Sequence, residues 1–380
     1  MIRNTTRFGL RNGRFGRIRN EAGSVILTFA VSIVALFCFA VVAIDGAILM
    51  TTKNQLQVAA DAAALAGASA YNAGDTEVRR RAAYFASQNF AVQDTMRACT
   101  INPIVDVVIN RVVSDPWVQV TTHRTSGTGD PLRTYFLKIL DVAAGTPMRN
   151  NTVDVFARAK ANLVDECGVR CVKPWAIPDR WQEASVPPNT TWDPGDPYDP
   201  ITTGYIAPRD VGLQIVLKVG SSQDATAPGQ FNPIDLPPIN KGNPISGANQ
   251  YNFWIANCCP FIVAPGDTCI TENGNMKGPT KAGVQDLISQ DQSAYWDGTK
   301  VVSSYPGMSP RIALVPFYDP RLTPRTGRTE VYISKIGAFF IESVSPQGEV
   351  TGRFVQVNAP GTPCANNTGQ SLVQGIHLIE

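Results

Sequence analysis

The chain has 380 residues, enough for a membrane segment plus two small domains or one large one. Its formal charge is +2, yet six arginines fall within the first nineteen residues, so the rest is net acidic and argues against a nucleic-acid partner. Gly 31 and Pro 28 suit a loop-rich, strand-rich body with many turns.

The leader, 1–22, carries Arg3, Arg7, Arg11, Arg14, Arg17 and Arg19 and no acid before Glu21. Ser24 to Ile44 is then free of charge, and at ~1.5 Å per residue it crosses roughly 30 Å of hydrocarbon. Basic residues before the span, against only Lys53 close after it, put the N-terminus in the cytoplasm and the rest outside. The chain is therefore expected to cross a membrane once, with everything after Asp45 on the far side. The apolar run exceeds the ~7–15 residues of a signal-peptide core, which argues against cleavage there. Asp45 closes the run, either as a boundary residue at headgroup level or as a contact to a partner helix.

The helix is expected to continue past the membrane to Tyr71, where Asn72-Ala73-Gly74-Asp75 breaks it, giving a span-plus-extension of 23–71. Ala60, Ala64 and Ala68 recur at i+4, as do Ala59, Ala63 and Gly67. Small residues so spaced let another backbone come close. Two readings stay open. Asp45, Ala60, Asp61, Ala64 and Ala68 form a helix-packing interface to other membrane components or a second copy, or the alanine face packs on the chain's own domain.

Residues 72–165 read as a small α+β unit. A helix is expected from Thr76 to Phe90 with Asp75 as N-cap, its apolar stripe being Val78, Ala82, Phe85 and Ala86. Strands follow at Ile104–Val113 and Val118–Thr121, helical spacing at Leu132–Val142, and alternation again at Thr152–Leu163.

Residues 166–380 read as mostly β. Strands are expected at Leu213–Val219, Asn252–Ile255, Arg311–Pro316, Val331–Glu342 and Gly352–Val357, with one good helix at Lys281–Gln290. Cys38 lies in the span, and Cys99, Cys167, Cys171, Cys258, Cys259, Cys269 and Cys364 fall outside it. An oxidising compartment permits disulfides there, and seven is odd, so at least one thiol stays free or pairs between chains. Cys167 and Cys171 could close a short loop, and Cys258 and Cys259 could reach Cys269 and Cys364; spacing leaves the connectivity open. Zinc is disfavoured, because neither repeated C-x2-C nor histidine partners occur.

No catalytic, cofactor-binding or metal site stands out. His123 and His377 lack conspicuous partners, and nucleophile-elbow, Walker A and dinucleotide fingerprints are absent from the sequence. Asp193, Asp196 and Asp199 in WDPGDPYDP do not match calcium-loop spacing and read as a solvated loop. Trp175, Trp181, Trp192, Trp254 and Trp296 could form a binding platform, or belong to the core.

The stretch Glu21 to Ala68 resembles the N-terminal region of TadE/TadG-like proteins of the Tad (Flp) pilus system. Matching positions are Gly23, Asp45-Gly46, Leu56-Gln57, Ala60-Asp61 and Ala63-Ala64-Leu65-Ala66. NCCPF (Asn257–Phe261), NMKGPT (Asn275–Thr280) and RIALVPFYDPR (Arg311–Arg321) look like segments of larger Tad-like proteins. The resemblance implies an inner-membrane protein with a periplasmic domain that assembles or anchors a surface fibre. Gly16 and Glu21 have the spacing of a prepilin cleavage site, but Arg17-Ile18-Arg19-Asn20 stands where prepilins are apolar, which counts against cleavage. A von Willebrand A domain is not carried over, since its D-x-S-x-S metal motif is missing. The expectation is therefore an α+β, non-catalytic assembly protein without cofactor, partnered by the lipid bilayer and other pilus-system membrane components. The alternative is a membrane-anchored adhesin or glycan-binding module.

Overall fold

The computed structural model describes residues 21–91, 97–128, 130–134, 152–189, 192–220, 232–272, 274–305, 308–322, 327–366, 368 and 371–379. The basic leader and most of the helical spacing at Leu132–Val142 lie outside them. The chain is α+β: a few helices, the first long and apolar, many strands and two disulfides.

Helix α1, Glu21–Ser69, runs 49 residues without a break, about 70 Å at ~1.5 Å per residue. Its most apolar window has a mean hydropathy of 2.9 and none of it is buried in the chain. Val25, Phe29, Leu36 and Phe39 each stand more than half exposed. That pattern is what lipid, not a protein core, would cover. From Asp45 onward the helix changes character. Asp45, Thr52, Leu56, Ala60, Ala63, Ala64 and Ala68 are buried, at spacings that keep them on one face.

The chain divides into two compact units. One takes Met1–Gln55, Ala91–Arg97 and His123–Phe156. Within it Leu132–Arg133 pairs antiparallel with Thr152–Val153, so the segment expected to be helical from Leu132 begins as strand. Arg124 pairs with Asp130 at 2.9 Å, and Asp154 accepts from Ser126 N–H at 2.7 Å.

The other unit takes Leu56–Phe90, Ala98–Thr122 and Ala157–Glu380. Helix α2, Asp75–Ser87, follows a break at Gly74. The strands are β1 Val107–Asn110, β2 Trp117–Arg124, β3 Val155–Val169, β4 Ile177–Pro178, β5 Gln214–Lys218, β6 Ile234–Asp235 and β7 Thr268–Thr271, then β8 Ile312–Tyr318, β9 Glu330–Val344, β10 Val350–Phe354, β11 Val357–Asn358, β12 Gly361–Pro363 and β13 Val373–Leu378. A six-stranded sheet has the order β11-β13-β3-β2-β1, with β12 also on β3. The chain's last strand returns to it, pairing Ile376 with Leu163. A seven-stranded sheet has the order β6-β7-β9-β8-β4, with β10 on β9 and β5 on β10.

Strand β9 organises the second sheet. Its fifteen residues pair with β7 at one end, β8 through the middle and β10 at the other. Phe317, Phe339 and Phe354 stack around it as the centre of a large core. Gly337 is required at the closest approach, because a Cβ there would lie 2.4 Å from the Phe317 ring.

Two helices flank this sheet: α3 Ala248–Ala256 and α4 Lys277–Ser289. Helix α3 corrects the strand expected at Asn252–Ile255. Its aromatic residues favour strand locally, but Tyr251, Trp254 and Ile255 bury one helical stripe against the core. Helix α4 begins four residues before the expected Lys281.

Candidate functional site

The feature that joins the apolar span to the folded body is the alanine seam of α1. Ala60, Ala63, Ala64 and Ala68 are wholly buried in one core with Val78, Ala82 and Ala86 of α2. The floor of that core is Val107, Val118, Val120, Ala159, Ala161 and Leu163 of the six-stranded sheet. Alternation along β2 and β3 supplies it, since every second residue faces inward. Alanines of β3 and of α1 share this core, and small side chains let helix and sheet approach closely. Gly67 extends the seam: a Cβ there would come 3.1 Å from Val118 Cγ1 and 3.4 Å from Ala82 Cβ.

Ala60, Ala64 and Ala68 pack inside the chain's own unit and present no surface to a partner helix. Asp61 stays half-exposed and accepts a bond from Gln57 Nε2 at 2.8 Å. Asp45 is buried. Small residues at i+4 look alike whether the approaching backbone is foreign or the chain's own, so the sequence could not separate the cases.

Polar bonds tie the helix to the sheet beyond the seam. Thr122 donates its hydroxyl to Leu56 C=O at 2.8 Å in a buried setting. Gln57 reaches Arg158 C=O at 2.9 Å. At the helix end, Asn358 Nδ2 donates to Ser69 C=O at 3.1 Å, satisfying a carbonyl the helix itself leaves open. Tyr71 donates to Asn110 C=O at 2.6 Å, beneath the Arg111 guanidinium 4.0 Å above its ring. Burial pushes the Tyr71 hydroxyl pKa up.

The six candidate disulfide residues separate into two groups. Cys167 bonds Cys364, and Cys171 bonds Cys258. Cys167 and Cys171 therefore do not close a short loop on each other. Cys259 and Cys269 are fully buried free thiols in the main core. Burial raises both pKa values, that of Cys269 to about 12, so neither thiolate forms readily.

Other polar groups act structurally. Arg311, at the start of RIALVPFYDPR, is buried and donates to the carbonyls of Ile341, Asp291 and Ala294. Asp179 accepts from Lys335 at 2.8 Å and from Tyr198 at 3.0 Å, locking the proline-rich 180–210 segment against β9. Desolvation raises the Asp179 pKa and lowers that of Lys335. In WDPGDPYDP the acids cap turns: Asp196 accepts from Ala184 and Asp193 N–H, and Asp199 from Ile201 and Thr202 N–H. Trp175 and Trp254 lie in the core, which removes them from any exposed platform. His377 sits 3.0 Å from Glu166. The Asp179–Lys335 and Glu166–His377 pairings were missed because each joins residues far apart in sequence.

A cavity of about 350 Å³ opens beside the Cys167–Cys364 bond, its lining including Tyr205, Ile206, Lys335, Ile336 and Leu372. The acids near it are engaged: Asp165 accepts from Thr368, and Glu166 faces His377.

No curated protein and no solved structure matches the chain. Residues 23–70, the span and the buried seam together, match the family described as "Putative Flp pilus-assembly TadE/G-like".

Proposed function

We propose that the chain is a non-catalytic, single-span component of a Tad/Flp pilus assembly system. Its leader is cytoplasmic, its span crosses the inner membrane, and its folded body stands in the periplasm. The observation that carries this reading is α1 itself. One unbroken helix buries none of its most apolar window and buries one face of its alanine-rich half, and it is the segment that matches a pilus-assembly family.

The span and the residues of the first core lie on one continuous helix, Glu21–Ser69. The seam fixes the body to the rod, and contacts with other membrane components fall to the exposed span. Two disulfides fit an oxidising compartment. The test is to count surface fibres in cells lacking the chain, complemented by the full chain or by a form without residues 25–44. The full chain restores fibres and the spanless form does not. Normal fibre numbers without the chain would overturn the reading.

A further inference from the structure

Three cysteines converge where β3 ends. Cys171 is bonded to Cys258, and its N–H donates to the carbonyl of Cys259 at 2.9 Å. Cys258 is exposed, whereas Cys259 beside it is wholly buried with a free thiol. Cys171 holds φ +61°, a left-handed conformation that a side-chain-bearing residue adopts only when its surroundings impose it.

The backbone here is held without the disulfide. Val169 and Val263 exchange two hydrogen bonds, at 3.0 and 2.9 Å. Lys173 Nζ donates to Ile255 C=O at 2.6 Å and to Asn257 C=O at 3.3 Å, capping the end of α3 just before Cys258. Cys167 and Cys364 differ: both are half-buried, in line with the paired strands β3 and β12.

We propose that Cys171–Cys258 is a redox-labile bond at the end of α3, opened locally by a dithiol reductant while Cys167–Cys364 stays closed. Exposure of Cys258 gives an attacking thiolate access to the bond. The thiolate attacks Cys258 Sγ, forming a mixed disulfide, and Cys171 leaves as a thiolate that takes a proton. The second thiol of the reductant then attacks its own sulfur in the mixed disulfide and releases Cys258. Two electrons pass to the protein and the reductant ends as a disulfide. The Val169–Val263 bridge and the Lys173 cap keep the strand end and helix in place, so opening is local.

The test treats the full-length chain in detergent with rising dithiothreitol, then alkylates it and maps the labelled cysteines by mass spectrometry. Cys171 and Cys258 label at about tenfold lower dithiothreitol than Cys167 and Cys364, with the circular-dichroism spectrum unchanged. Labelling of Cys167 and Cys364 first or together with the other pair would overturn the proposal, as would loss of the spectrum when Cys171 opens. A second variant, Cys171→Ser with Cys258→Ser, keeps the parent spectrum; failure of that variant to fold would equally overturn a local opening.

Discussion

Leucine at Ala60, Ala64 and Ala68 tests the seam. All three side chains have no exposed surface, and the core around them is closed by α2 and the sheet. Each substitution adds three carbons where a Cβ already touches its neighbours. Overpacking of this kind costs about 1–3 kcal/mol per site. Ala64→Leu alone should therefore lose about 1–3 kcal/mol, and the triple variant about 3–9 kcal/mol if the sites were independent. A folded body is worth only about 5–15 kcal/mol in total, so the triple variant should lose a large share of its stability and unfold at a much lower urea midpoint. Val58 and Leu65 provide the control, because they lie on the same helix but are exposed. Val58→Gln and Leu65→Gln should change stability by no more than about 0.5 kcal/mol. The assay is urea denaturation of the full chain in detergent, followed by circular dichroism. A triple variant with the parent's midpoint would refute the intramolecular seam and restore the partner-facing reading.

Three further outcomes follow from the same structure. Burial and the neighbouring Glu272 raise the Asp235 pKa to about 7, against about 4 unfolded. The folded state thus holds its proton more tightly, and stability falls as pH rises through that window; Asp235→Asn should flatten the slope between pH ~4 and ~7 in denaturation titrations. Cys167–Cys364 spans a sequence separation of 197, for which the chain-entropy model gives about 5 kcal/mol. Replacing both by serine should lower stability by about 2–5 kcal/mol, read from urea midpoints, and an unchanged midpoint would contradict this. A chain lacking residues 25–44 should leave the membrane fraction, since no other helix among the described residues is long and apolar enough to cross a bilayer.

What was readable in the sequence depended on range. The span needs only length and hydropathy, and α1 follows both. Alternation in Val118–Thr121 and Thr152–Leu163 marked the inner faces of β2 and β3 without further help. The alanine face was visible, but its partner was not, because Ala60 and Ala64 look the same against any closely approaching backbone. Asn252–Ile255 misled, since its aromatics suit a strand until α4 and the main core supply a helical groove. The disulfides and the Asp179–Lys335 pair are long-range choices, and spacing carries no record of which distant residue the fold delivers.

The orientation of the rod bears most directly on the whole account, and protease protection measures it. Cells with a permeabilised outer membrane and an intact inner membrane, carrying a chain tagged at both ends, would be treated with a broad protease. The N-terminal tag should survive and the C-terminal tag should be lost, as the arginine-rich leader before Val25 requires. Loss of the N-terminal tag with survival of the body would contradict the account.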